Sequence, residues 1–157
     1  MATKEEESKQ IYFFDVSTLL LRYQTRENGI RQINEIFTSY SQVYTSGLIF
    51  GEVVGELKRT LNAESAEKMI PLLLGDVKSG RLRVLEIKPG SVEEEVAEIR
   101  QVQGRFPLKP LEIFHLAITR FFLKSLRGGK EPVFVSLEER YIDVIKELGH
   151  STLLVEP

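Results

Sequence analysis

Ile11-Tyr12-Phe13-Phe14-Asp15-Val16-Ser17 is the stretch that decides the fold. The apolar run Ile11 to Val16 is too short for a helix and rich in β-formers, which predicts a buried strand ending on an acid. Ser17 then stands where a helix N-cap belongs, and Leu19, Leu20 and Tyr23 follow on one helical face. A buried strand that runs directly into an amphipathic helix is the first half of a crossover unit, and the rest of the chain continues the pattern.

Further strands are predicted at Gln42 to Ser46, Arg81 to Ile87, Pro132 to Ser136 and Ser151 to Pro157. Helical spacing of apolar residues fills the gaps. Ile30, Ile33, Ile36 and Phe37 mark one helix, and Leu48 to Leu61 a second carried by Ile49, Val53 and Leu57. Ala66, Met69, Ile70, Leu73 and Val77 mark a third, which Pro71 is expected to kink or interrupt and Gly80 to end. Val92, Val96 and Ile99 follow the Pro89-Gly90 turn, Leu111 to Leu126 is a long helix ended by Gly128-Gly129, and Leu137 to Leu148 is the last. Strands alternating with helices require crossover connections, hence an α/β domain with a mostly parallel sheet covered on both faces. The expected layout is a polar tail over residues 1–10 and a single domain over 11–157.

Composition narrows the function classes. The chain has 157 residues, of which 42% are hydrophobic, with no Cys and no Trp. Without cysteine there is no disulfide framework, thiolate zinc site or Cys nucleophile, and the cytoplasm is the expected compartment. The 21 Lys and Arg against 23 Asp and Glu give a net charge of −2, so the strongly basic signature of many nucleic-acid binders is missing. The acidic start MATKEEESKQ has no apolar h-region, and no apolar run reaches the roughly 20 residues of a membrane helix.

Ligand sites in open α/β sheets lie beyond the carboxyl ends of the strands. That rule selects four acids. Asp15 ends the first strand among Phe13, Phe14, Val16 and Leu19; its plainer reading is a partner for the adjacent helix N-terminus. Glu52 lies in the helix after the second strand, and its flanks Phe50, Val53 and Val54 make it the more enclosed of the Glu52–Glu56 pair. Glu112 opens the long helix with His115 three residues on, and Glu138 follows the fourth strand in Ser136-Leu137-Glu138-Glu139. Both have helix-start readings as well, Ser136 as an N-cap in the latter case. Four acids at one sheet edge repel one another unless some are protonated or a cation compensates. Oxygen donors without Cys favour Mg²⁺ or Mn²⁺ over zinc.

The order Phe14-Asp15-Val16-Ser17-Thr18-Leu19-Leu20, Glu52-Val53-Val54-Gly55, Glu112-Ile113-Phe114-His115-Leu116-Ala117 and Phe134-Val135-Ser136-Leu137-Glu138 resembles the PIN domain, most of all the VapC-type toxins of toxin–antitoxin pairs. The match runs from Ile11 to Pro157. It implies a three-layer α/β/α sandwich and a metal-dependent endoribonuclease acting on RNA. Asp15, Glu52, Glu112 and Glu138 are then the metal ligands, with Ser17 and Ser136 orienting ligands or water. An antitoxin protein partner and a homodimer are implied too. Glu112 and Glu138 stand where the family usually has Asp, and the added methylene of each shifts a ligand oxygen by about a bond length. A catalytically degenerate PIN domain serving as a protein- or RNA-binding module is therefore the alternative.

His115 reads as structural, satisfying a hydrogen bond beside an acid. Arg22, Lys58, Arg59, Lys109 and Arg140 lie near the proposed rim in sequence and are candidate RNA contacts. Other sites are excluded: a second Glu-x-x-His for a di-iron pair, a glycine-rich nucleotide loop and an acyl-transfer elbow are all missing.

Overall fold

The computed structural model describes residues 9–24, 30–39, 41–87, 92–102, 107–126 and 130–156. The expected tail, apart from Lys9 and Gln10, and the Pro89-Gly90 and Gly128-Gly129 turns lie outside these residues. Five strands, β1 (Ile11–Phe14), β2 (Gln42–Ser46), β3 (Leu82–Leu85), β4 (Val133–Ser136) and β5 (Ser151–Leu154), form one sheet in the order β3-β2-β1-β4-β5. Every pairing is parallel. Seven helices are seen among the described residues: α1 (Val16–Tyr23), α2 (Ile30–Thr38), α3 (Gly47–Thr60), α4 (Ala63–Lys78), α5 (Glu93–Val102), α6 (Pro110–Ser125) and α7 (Glu139–Glu147).

Right-handed crossovers explain the layering. The chain steps from β1 to β2 to β3 in one direction, so α1 to α4 cover one face; it then jumps back across β1 to β4 and β5, so α5 to α7 cover the other. Packing agrees, since α1 contacts α2, α3 and α4, while α5, α6 and α7 contact one another. The result is a three-layer α/β/α sandwich. Strands buried on both faces must be apolar throughout, and Ile11, Phe13, Phe14, Val43, Phe134 and Val135 supply that core.

The reversal of direction lies between β1 and β4, the place where open α/β sheets build sites. The register Phe14 opposite Val135 sets Asp15 beside Ser136 just past the strand ends.

Three local expectations fail. The N-cap of α1 is Asp15, whose side chain accepts from Thr18 N–H, so Ser17 lies inside the helix. Asp15 is the better cap because its extended backbone precedes the first helical residue directly. Likewise the N-cap of α7 is Glu138 rather than Ser136, which remains the last residue of β4. Nor does Pro71 interrupt α4, which runs unbroken from Asn62 as its cap to Lys78. Pro71 and Glu67, whose carbonyl loses its helical partner, both lie on the exposed side where water can serve that carbonyl.

Candidate active site

Asp15 is the centre of the site. It is 6% exposed, and all its hydrogen-bond donors are neutral. Oδ1 accepts from Ser17 Oγ at 2.7 Å, Thr18 N at 3.0 Å and Thr18 Oγ1 at 2.8 Å, and Oδ2 accepts a short hydrogen bond from Ser136 Oγ. Those donors approach the capacity of one carboxylate. Among the described residues no Lys, Arg or His forms an ion pair with Asp15. Burial pushes its carboxyl above the ordinary value, and the bonds from Ser136, Thr18 and Ser17 pull only partly against it.

The two serines bridge β4 to α1. Ser17 Oγ accepts from Leu137 N at 3.0 Å, and Ser136 Oγ accepts from Glu138 N at 2.9 Å. Each hydroxyl therefore takes an N–H of the turn after β4 and passes its own proton toward Asp15. Thr18, wholly buried, sets its hydroxyl between Asp15 Oδ1 and the Val135 carbonyl, donating to one or the other, and was not among the candidates. An acid at an N-cap with Thr three residues later is a local signal that would have found it.

The other acids come from separate elements but face the same space. Asp15, Ser17, Glu52, Glu112 and Glu138 line one cavity of about 260 Å³, closed by apolar walls that include Leu20, Ile49, Leu116 and Phe134. Glu52 comes from α3 in one helical layer, and Glu112 from α6 in the other. The cavity thus sits between the layers at the sheet edge. Glu52 is in fact less buried than Glu56, with 43% against 32% of its side chain exposed. Glu56 instead pairs with Arg59 over a neighbouring groove. Facing the cavity rather than enclosure distinguishes Glu52.

His115 also lines the cavity, with Nε2 2.6 Å from Glu52 Oε2. That approach is an ion-pair distance without hydrogen-bond alignment, and neither ring nitrogen makes a hydrogen bond among the described residues. The histidine does not settle a structural hydrogen bond as the sequence suggested.

Glu112 is the most tightly held of the rim acids. Its Oε1 accepts from Lys109 N at 3.1 Å, closing the start of α6, while Oε2 accepts from Tyr141 O–H at 2.6 Å and Arg140 Nη2 at 3.1 Å. Partial burial draws the carboxyl upward, but Tyr141, the Lys109 N–H and Arg140 outweigh it and hold it below the ordinary value. Tyr141, pushed up by burial and then by Glu112, stays a neutral donor. Sequence spacing could not reveal this pair, because it joins α6 to α7.

Three of the five proposed cations are already paired within the protein. Arg22 is largely buried against Asp76 and Asn34, Arg59 holds Glu56, and Arg140 holds Glu112. Arg22 is therefore part of the helical packing and not a rim contact.

A divalent cation fits the donor set in kind, since the cavity offers carboxylates and hydroxyls only beside one imidazole. In placement, Asp15 and Glu112 are engaged by their own hydrogen-bond donors, Glu52 lies against His115, and among the described residues no three acidic or histidine side chains converge on one point.

The sequence matches no protein-family model and no curated protein. Its fold, however, is shared with solved structures over nearly the whole chain. A DNA-bound VapBC from Salmonella typhimurium is similar at 17% identity with a TM-score of 0.62, covering 94% of this chain and 99% of that one. VapBC2 from Rickettsia felis, bound to a DNA fragment from its promoter, gives 8% and 0.64 over 94% and 100% of the two chains. VapBC-1 from nontypeable Haemophilus influenzae gives 12% and 0.60 over 92% and 98%. At these identities the likeness is one of architecture: this chain has the PIN-like three-layer fold of the VapBC structures.

Proposed function

We propose that this protein is a divalent-metal-dependent endoribonuclease of the VapC-like toxin type, hydrolysing RNA phosphodiester bonds at the acid-lined cavity. The observation that carries the reading is the lining of one cavity at the strand-order reversal by Asp15, Glu52, Glu112 and Glu138, with a buried Asp15 lacking a cation partner among the described residues. A buried carboxylate left without a compensating charge is costly, and sites that tolerate that cost are commonly sites of function. Asp15, Glu52 and Glu112 would hold Mg²⁺ or Mn²⁺, with Glu138 at the mouth. When bound, such an ion supplies Lewis-acid charge at the phosphodiester and a nucleophile drawn from water.

The chain's own residues do the rest. Ser17, Thr18 and Ser136 fix the orientation of Asp15, and their hydroxyls can rotate away from it without moving the backbone. The exposed Glu52 and Glu138 leave the mouth open to a polymer, and the apolar walls keep the dielectric low around the buried acid. The shared VapBC fold supports pairing with an antitoxin protein, and a homodimer is expected on the same ground.

The alternative is a degenerate PIN domain used as a binding module. One observation favours it: Glu112 already has a cation in Arg140. Calorimetry with Mn²⁺ and Mg²⁺ on the wild type and Asp15→Asn separates the readings. Asn keeps the N-cap acceptor, so the variant is expected to fold. Binding in the wild type that is lost in Asp15→Asn, followed by EDTA-sensitive cleavage of an RNA pool, supports the nuclease. No binding to the wild type at millimolar metal leaves the binding module.

A further inference from the structure

Glu112 differs from Asp15, the other closely held cavity acid, in that a guanidinium is among its partners. At the third helical position after Lys109 it folds back on the Lys109 N–H, as a capping-box glutamate does, and this turns the carboxylate along the start of α6. Its second oxygen then meets two donors from the far side of the cavity mouth, Tyr141 O–H at 2.6 Å and Arg140 Nη2 at 3.1 Å. Arg140 is itself braced, since Nη1 donates to the Pro107 carbonyl at 3.3 Å. Only 12% of the Glu112 side chain is exposed, so these bonds are screened less than a surface pair.

We infer that Arg140 and Tyr141 form an internal clamp that occupies Glu112 in place of a divalent cation, so that the cavity takes up an ion only as the clamp gives up this carboxylate. The inference rests on the metal-dependent reading above and deepens it. Its physical basis is competition: an oxygen that accepts from a phenol and a guanidinium has little capacity left for a cation, and Arg140 already supplies the compensating charge. Tyr141 and Arg140 are positioning residues here, acting through Glu112.

The test is Mn²⁺ calorimetry on the wild type, Tyr141→Phe and Arg140→Gln, with Glu112→Gln as the reference background. Tyr141→Phe keeps the ring in the cavity wall and removes only the hydroxyl, and Arg140→Gln probes the clamp from the solvent side. Each variant is expected to bind Mn²⁺ about three- to ten-fold more tightly, the size of one ordinary intramolecular hydrogen bond. In the Glu112→Gln background Tyr141→Phe is expected to change nothing, a coupling that a general structural effect would not produce. Mg²⁺ added to wild-type protein with ¹³C-labelled tyrosine is expected to shift the Tyr141 ring signals as its partner leaves. Equal or weaker Mn²⁺ binding in both variants overturns the clamp and leaves the metal reading standing. If neither the wild type nor any variant binds metal, both fall.

Discussion

Two aspartates are buried in this protein, and the fold treats them in opposite ways. Asp76, on α4, is 2% exposed and accepts from Tyr23 O–H at 2.6 Å and from Arg22 Nε and Nη2 at 3.3 and 3.1 Å, with Arg81 Nη1 3.9 Å from its other oxygen. Arg22 in turn donates to Asn34 at 2.7 Å and lies 3.8 Å from the centre of the Phe37 ring. One carboxylate thus ties α1, α2 and α4 together and brings its own cation. Asp15 is buried nearly as deeply just past the ends of β1 and β4, yet among the described residues it receives only hydroxyls and one N–H. The contrast separates cement from site. A buried charge paired inside the protein holds elements together, whereas one left uncompensated is kept for something the fold does not itself contain.

Removing the two carboxylates should therefore have effects of opposite sign. Asp76→Ala leaves a buried guanidinium and a buried phenol without their acceptor and is expected to cost about 3–5 kcal/mol in urea unfolding. A loss under about 1 kcal/mol would show that the network is not what joins the helices. Asp15→Asn removes a desolvated charge while keeping a cap acceptor, and is expected to stabilise the protein by about 1 kcal/mol at pH 7, or roughly 2–4 °C in Tm. The pH dependence follows from the upward shift of Asp15. The folded protein holds this proton more tightly than the unfolded chain, so stability falls as pH rises from the ordinary value of 3.8 through the raised one. The advantage of Asp15→Asn is largest above the raised value and narrows as the pH is lowered toward 4. A destabilisation comparable with that of Asp76→Ala would erase the distinction between the two aspartates.

A smaller change probes the donors around Asp15. Ser136 gives the strongest of the bonds pulling that carboxyl down, so Ser136→Ala is expected to cost about 1 kcal/mol at pH 7 and to push Asp15 further up. Carboxyl resonances followed by NMR titration would read the second effect directly. An unmoved Asp15 would mean that Ser17 and Thr18 suffice to hold it.

The same contrast explains what was legible in the sequence. The alternation of apolar runs with helical spacing reports burial, a property of each segment, and it located every strand and helix among the described residues to within a few positions. Asp15, Glu52, Glu112 and Glu138 were legible because a topological rule fixes where sites fall on such a sheet, and the structure sets all four around one cavity. Side-chain pairing carries no such local record. Asp76 sits unremarked in Leu74-Gly75-Asp76-Val77, and its partners Tyr23 and Arg22 are 53 and 54 residues away. Arg22 consequently read as a surface contact. Arg140 and Tyr141 escaped for the same reason, since the carboxylate they hold lies on another helix.

His150 gives the smallest effect and a third way of dealing with a buried ionisable group. It faces Arg120, Lys124, Glu98 and Glu131, and its Nε2 makes no hydrogen bond among the described residues. Burial first, and Arg120 second, lower its pKa from 6.5 to about 4. Arg120 is fixed there by Glu98 at 2.8 Å and by the Leu148 carbonyl. The fold neither pairs this histidine nor reserves it, but keeps it neutral. Its folded value lies below the unfolded one, so the unfolded chain gains the proton first and stability is lost as pH falls from 6.5 toward 4. Partial exposure screens the effect, which is expected to be about 0.5 kcal/mol. Urea unfolding of the wild type and His150→Gln at pH 7 and pH 5 isolates it. The variant should lose less stability over that interval, because glutamine stays neutral in both states. Parallel losses would show that His150 protonates within the folded protein, with Glu98 and Glu131 outweighing Arg120 and Lys124.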